Sequence, residues 1–271
     1  MTSSKKGSFS ACILRNEPLS PSCHILRIER PAGFPEALPG QFISIRVSQT
    51  KDPLLRRPYS ILDLTEGALT LMIKAVGSGS SILVAKAPGE QVDFIGPLGG
   101  SPFPEPGGRG IVFVAGGTGL APIIFAARSW KRQGFAESLY LLYGAACKEE
   151  LMENLIEDDF SECHLATLDG SAGYRGDVTA MCEELVEKGA FPTEVLYSCG
   201  PKGMVRSLIE RIDKRFDIHF TSLESIMACG VGACRGCSVP VRESGSVVFK
   251  TICSDGTVFN ARDIAWEEWR E

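Results

Sequence analysis

Two patterns of apolar and polar positions divide the chain. From Phe9 to about Val92, apolar residues fall in short runs, at 24–28, 41–47, 60–64 and 68–74, broken by Pro and Gly. Phe42-Ile43-Ser44-Ile45-Arg46-Val47 alternates, the period of a half-buried strand. Turns punctuate the runs at Pro31-Ala32-Gly33, Pro39-Gly40 and Glu66-Gly67. Closely spaced strands with such punctuation predict a small antiparallel barrel. A short helix is expected over 80–87, ending at Pro88-Gly89.

Residues 97–110 are rich in Pro and Gly and read as a linker. Beyond them the pattern changes. Residues 110–115 form an unbroken apolar run, as in a strand buried on both faces. Helices are predicted over 121–133, 148–157, 179–188 and 202–214, with strands over 139–143 and 194–198. Alternating strands and helices predict an α/β domain with a parallel sheet. From about Phe220 the chain leaves this pattern. The expected fold is mixed: an antiparallel β-barrel over 1–103, an α/β domain over 108–220, and a small irregular segment over 221–271.

Composition narrows the function classes. A net charge of −5 without a basic run argues against nucleic acid as a partner. No apolar stretch reaches membrane-spanning length, and no apolar core follows Lys5-Lys6 as in a signal peptide. Ten cysteines in 271 residues are too sparse for a secreted disulfide scaffold, so a reducing cytoplasm is expected. His24, His164 and His219 are widely separated and show no ligand spacing.

Four of the cysteines fall in one pattern. Cys229, Cys234 and Cys237 follow C-x4-C-x2-C, and Cys253 completes the set. A structural zinc site usually pairs two C-x2-C turns, and one is present here. The spacing is that of a plant-type [2Fe–2S] cluster. Gly230, Gly232, Ala233 and Gly236 keep the backbone bare, so N–H groups can approach sulfur. Zinc and buried free thiols are the competing readings.

Four further stretches suit nucleotides. Arg56-Arg57-Pro58-Tyr59-Ser60 offers guanidinium forks for phosphate, a ring for stacking and a hydroxyl; solvated edge-strand arginines are the bland alternative. Lys74-Ala75-Val76-Gly77-Ser78-Gly79-Ser80 is a strand followed by a Gly/Ser turn, able to present N–H groups to a pyrophosphate or to serve as a plain loop. Gly116-Gly117-Thr118-Gly119 joins a buried strand to a helix, the context a phosphate site requires, although it is not a strict G-x-G-x-x-G. Cys199-Gly200-Pro201 ends a strand, where open parallel sheets bind ligands. Asp169–Thr179 reads as a polar glycine-rich loop for the rest of a nucleotide or as ordinary surface. Glu137, the acidic residue nearest a ribose-ligand spacing, does not decide between NAD and NADP.

Taken in order, Arg-x-Tyr-Ser, Gly-x-Gly-Ser, Gly-Gly-Thr-Gly-Leu-Ala-Pro and Cys-Gly-Pro resemble the ferredoxin-reductase family over about the first 220 residues. Residues 225–237, with Ile252-Cys253-Ser254-Asp255-Gly256-Thr257-Val258-Phe259, resemble the electron-transfer subunits of dihydroorotate dehydrogenase B. The resemblance implies FAD around Arg57, Pro58, Tyr59 and Ser60, with Met72, Ile73, Lys74, Gly79 and Ser80 at its ribityl and phosphate portion. It implies NAD(H), with NADP(H) still open, at Gly116, Gly117, Thr118 and Gly119, and places Cys199, Gly200 and Pro201 where nicotinamide meets flavin. Cys229, Cys234, Cys237 and Cys253 would ligate the [2Fe–2S] cluster. The implied function is a relay of electrons to or from an FMN-containing catalytic subunit that converts dihydroorotate to orotate in pyrimidine biosynthesis, in a heterotetramer. No dihydroorotate site is evident in this chain. A ferredoxin:NADP reductase or sulfide dehydrogenase subunit would use the same cofactors, and a zinc-stabilised nucleotide-binding redox sensor is the alternative that is not an enzyme.

Overall fold

The computed structural model describes residues 6–107, 110–134, 138–156 and 158–269; Glu137 and Glu157 lie outside them. The N-terminal unit comprises β1 (Gly7–Pro18), β2 (Cys23–Glu29), β3 (Phe42–Arg46), β4 (Arg57–Leu64), β5 (Ala68–Lys74), α1 (Ser78–Val84) and β6 (Gln91–Leu98). Six antiparallel strands close a barrel in the order β1-β2-β5-β4-β3-β6. Closure leaves no free edge. Inward-facing Ile13, Leu26, Ile43, Ile45, Leu71, Ile73 and Phe94 are fully buried and fill the barrel.

The central unit comprises β7 (Ile111–Gly116), α2 (Leu120–Gln133), β8 (Leu139–Ala145), β9 (Glu162–Thr167), β10 (Tyr174–Arg175), α3 (Val178–Glu187), β11 (Val195–Cys199), α4 (Lys202–Ile212) and β12 (Ile218–Ser222). The C-terminal segment adds the hairpin β13 (Ser238–Glu243) and β14 (Ser246–Thr251), then β15 (Val258–Asn260). The large sheet runs β10-β9-β8-β7-β11-β12-β15. It is parallel except for β15, which the C-terminal segment lends antiparallel to β12. Strand order reverses between β7 and β11, which places the ligand crevice at their C-terminal ends. No helix among the described residues is long and apolar enough to cross a membrane.

The helix expected over 148–157 does not form. Two 3-10 turns, Lys148–Glu150 and Glu153–Leu155, stand there instead. Lys148 N–H donates to Ser171 Oγ at 2.8 Å, and Leu151, Met152 and Ile156 enter the core beside α2. Tertiary packing overrides the helix propensity of Lys-Glu-Glu.

Helix α2 joins the two units. Phe125 enters the barrel core, while Arg128 and Arg132 pair with Asp63 of β4 at 3.6 and 3.0 Å. Arg128 also holds Asp159 at 2.8 Å.

Helix α3 starts on Asp177, whose carboxylate accepts from the N–H groups of Thr179 and Ala180 and from the Thr179 hydroxyl. Partial burial pushes this carboxyl up, but the Thr179 hydroxyl and the two N–H groups outweigh it and hold the group below its ordinary value. Asp177→Ala is expected to cost about 1 kcal/mol, read by chemical denaturation. The contribution is complete above the unfolded carboxyl's value and is lost as pH falls through the lower folded one. A loss independent of pH across the acid range would sink this assignment.

Candidate functional site

Three sites lie along the junctions of the barrel, the sheet and the cysteine segment. The first is a cavity of about 270 Å³ lined by Pro58, Tyr59, Ser60, Met72 and Lys74 of the barrel, Thr118 and Ala121 of the central unit, and Glu224, Met227 and Thr257 of the C-terminal segment. Residues alternate along β5, so Met72 and Lys74 line the cavity while Ile73 between them is buried in the barrel core. Arg57 lies across Gly79: a Cβ there would stand 2.9 Å from its Nε. The first two nucleotide motifs are thereby brought together, and any side chain at 79 would displace the guanidinium. Ser80 is committed within its own turn, where its hydroxyl accepts from Val76 N–H and Gly77 N–H at 2.9 and 3.1 Å. The concave wall, the aromatic ring and the Arg57–Gly79 cradle fit a flavin nucleotide.

The second site is a cavity of about 510 Å³ at the sheet's switch point. Gly116 and Gly117 end β7, Ala145 and Ala146 follow β8, and Pro201 follows β11; all line it. Gly119 packs against the turn after β11, where an added Cβ would lie 2.3 Å from Cys199 O. Cys199 itself is buried, lines neither cavity, and has its thiol pushed well up by burial. Gly200 closes on Gly116, and an added Cβ would stand 3.0 Å from Gly116 N. Lys74 lines both cavities and reaches across to Glu150 at 2.9 Å.

The third is the cysteine loop. Cys237 and Cys253 are buried with their sulfurs 3.4 Å apart, Cys229 is partly buried, and Cys234 is exposed. Backbone N–H groups point at three of the four sulfurs. Val231 and Cys234 donate to Cys229 Sγ at 3.4 Å each, Gly236 to Cys234 Sγ at 3.5 Å, and Gly232 to Cys253 Sγ at 3.1 Å. Those of Cys234 and Val231 bring the Cys229 thiol down to about 6. Burial beside Cys237 pushes Cys253 up to about 12. Two buried sulfurs in contact are stable as thiolates only with positive charge between them, so the donor set fits a metal cluster. Among the described residues no three His, Cys, Asp or Glu side chains converge on one point as for a single ion. A cluster would take its cysteines on more than one iron, so the four need not converge on a single point.

Glu224 was not singled out by the sequence patterns. By area it is exposed, but it lines the first cavity, and desolvation there pushes its carboxyl up. Its one sequence signal is a lone charge in Phe220-Thr221-Ser222-Leu223-Glu224-Ser225, between the last parallel strand and the cysteine loop.

Three family profiles match the chain in order. They are an oxidoreductase FAD-binding domain over residues 11–103, an oxidoreductase NAD-binding domain over 113–209, and the iron–sulfur cluster binding domain of dihydroorotate dehydrogenase B over 224–265. The dihydroorotate dehydrogenase B (NAD(+)) electron transfer subunit of Bacillus caldolyticus is 38% identical over 231 residues, 83% of this chain and 86% of that protein. The protein of the same description from Desulforamulus reducens is 34% identical over 266 residues, 96% of this chain and 98% of the relative. Among solved structures, a chain of an NADH-dependent reduced ferredoxin-NADP oxidoreductase superposes with a TM-score of 0.79 at 27% identity, covering 97% of this chain and 92% of its own.

Proposed function

The chain belongs to the family of dihydroorotate dehydrogenase B electron transfer subunits, and on that premise we propose how its residues divide the work and what it serves. The partner is an FMN-containing catalytic subunit that oxidises dihydroorotate to orotate, assembled with this chain as a cytoplasmic heterotetramer, and the nucleotide is NAD(H). The observation that carries this reading is adjacency. Lys74 belongs to the walls of both cavities, and Thr257 of the first cavity stands four residues beyond Cys253. When bound, FAD supplies a centre that exchanges a hydride with nicotinamide and single electrons with a [2Fe–2S] cluster.

The chain's task is to bind, orient and exclude water. Arg57 and Gly79 take the flavin phosphates, with Ser80 holding their turn in shape through its hydroxyl; Pro58, Tyr59, Ser60, Met72 and Lys74 take the ring and ribityl portion, with Ile73 anchoring the last two from the barrel core. Gly116 and Gly117 receive the nicotinamide nucleotide, Thr118 of the same turn faces the flavin side, and Gly119 packs on the Cys199–Pro201 turn that lies beneath them. Cys229, Cys234, Cys237 and Cys253 hold the cluster. Val231, Ala233, Cys234 and Gly236 are exposed, and Ile226 nearby is 90% exposed, which suits a surface covered when a partner docks.

The test begins with a visible spectrum and metal content. Flavin plus iron–sulfur absorbance supports the reading, and a colourless zinc protein overturns it. Co-purification with an FMN subunit and dihydroorotate-dependent NAD⁺ reduction then test the partner; a complex that ignores dihydroorotate rejects it.

Glu224 gives a pH prediction. Its raised carboxyl stays neutral to higher pH than an ordinary glutamate. Once ionised, it places negative charge beside a ring that gains electron density on reduction. The rate of flavin reduction by NADH is therefore expected to fall as pH rises through that value. Glu224→Gln should coincide with the parent at low pH and lack the fall at high pH. Identical profiles would remove Glu224 from the site.

A further inference from the structure

The strand that leaves the cluster segment is clamped against the barrel along a seam of glycines. Cys253 O accepts from Gly99 N–H at 3.2 Å, and Ser101 Oγ donates to Asp255 O at 3.4 Å. Gly256 forms isolated bridges with Gly100 and Ser101. Thr257 Oγ1 donates to Gly40 O at 2.6 Å, and Thr257 O accepts from Leu223 N–H at 2.9 Å. At the next residue, Val258, β15 begins and pairs with β12 in the large sheet. The segment from Cys253 to Val258 is thus fastened to both neighbouring units.

There is no space in this seam for a side chain. A Cβ on Gly100 would stand 2.6 Å from Asp255 O and 2.8 Å from Ser254 O. On Gly256 it would meet Ser101 N at 3.0 Å, and on Gly99 it would meet Thr257 Cγ2 at 2.8 Å. Gly100 touches backbone, which cannot rotate away as a side chain can. Yet neither Gly99, Gly100 nor Gly256 lines either cavity, and none is a cysteine neighbour within the loop. The wall residues Gly40, Phe42 and Thr257 lie immediately beside the seam.

We propose that this seam, with Gly100 at its centre, is the spacer that fixes the distance between the flavin cavity and the buried Cys237–Cys253 side of the cysteine loop, so that Gly100 is a positioning residue for electron transfer between them. The inference rests on the assignment of flavin and cluster made above. Electron transfer between two carriers decays steeply with their separation, so backbone-to-backbone contact gives the shortest gap a folded chain can hold. A methyl group at Gly100 would lever the ligand-bearing strand away from the barrel without touching a group that binds either cofactor.

The test uses the full chain isolated with its cofactors. Flavin and iron per chain are measured first, because a parent chain lacking either rejects the assignment of sites as well as the seam. Stopped-flow mixing with NADH then follows flavin bleaching and cluster reduction separately, with freeze-quench EPR of the cluster as the second readout. Gly100→Ala is expected to keep its iron and flavin and to bleach at the parent rate, while cluster reduction slows several-fold, since the rate of electron transfer falls steeply with each ångström of added separation. Cluster reduction that keeps pace with bleaching overturns the proposal. Should Gly100→Ala fail to accumulate as folded protein, Ser101→Ala, which removes the Ser101–Asp255 bond of the seam without adding bulk, decides: a smaller slowing of the same step supports the spacer, and an unchanged step overturns it.

Discussion

Cys234→Ser is expected to abolish the iron–sulfur spectrum while NADH still bleaches the flavin at the parent rate. Cys234 is exposed and lies at the outer side of the loop. Its sulfur accepts from Gly236 N–H, and its own N–H donates to Cys229 Sγ. A serine hydroxyl stays protonated at neutral pH and is a poor ligand, so the loss includes both a metal bond and the charge that these N–H groups serve. Loss of a mere supporting hydrogen bond around a metal costs roughly 10–100-fold in affinity or activity, and loss of a ligand costs more. Dihydroorotate-dependent NAD⁺ reduction by the complex should therefore fall by at least that factor. The flavin and nucleotide cavities draw no wall from residues 228–237. NADH oxidation with ferricyanide as acceptor, which draws electrons from the flavin and bypasses the cluster, is the control. If bleaching is lost together with the cluster, the two steps are not carried by separable sites.

What could be read in the sequence was set by how local each signal is. The cysteine spacing is a covalent pattern and survives any error in placing strands. The strand–turn–helix at 111–133 was legible because a strand buried on both faces has no polar face to confuse it. The turn at Ser244-Gly245, between Ser238-Val239-Pro240-Val241 and Val247-Val248-Phe249, carries the same kind of signal, but the segment was expected to be irregular and forms a hairpin. The false helix over 148–157 had good formers and the wrong environment: Leu151 and Met152 were needed in the core beside α2, and Ser171 held the turn. Glu224 was invisible for a different reason. Its importance arises only when β12 ends beside the barrel, so that one carboxylate opens on a cavity built from three separate parts of the chain. The glycine seam is likewise a relation between residues 99–101 and 254–257, and nothing within either stretch announces the other.

Gly119→Ala tests the other end of the relay, and its effect should be large for a purely steric reason. Gly119 has φ −60°, an ordinary helical value, so an alanine there meets no backbone strain. What it meets is the turn after β11. The new Cβ would lie 2.3 Å from Cys199 O, 2.5 Å from Cys199 C and 2.7 Å from Gly200 N. None of these atoms can swing aside. Either α2 withdraws from β11, or the Cys199–Pro201 turn moves outward. Both displacements open the crevice between β7 and β11, because Thr118 and Ala121 line one cavity and Gly116, Gly117 and Pro201 line the other. Overpacking of this kind costs typically 1–3 kcal/mol, and backbone contact puts Gly119 at or above the top of that range. In a chain of this size that lowers Tm by roughly 6–12 °C at the upper figure. The KM for NADH should rise as well, with the iron–sulfur spectrum intact. Gly203→Ala is the informative contrast. It makes the same chemical change within α4, where the Cβ meets nothing within 4 Å, and it should leave Tm unchanged or slightly raised. If Gly119→Ala melts with Gly203→Ala and the parent, the close approach of the two turns is not what holds the nucleotide crevice in shape.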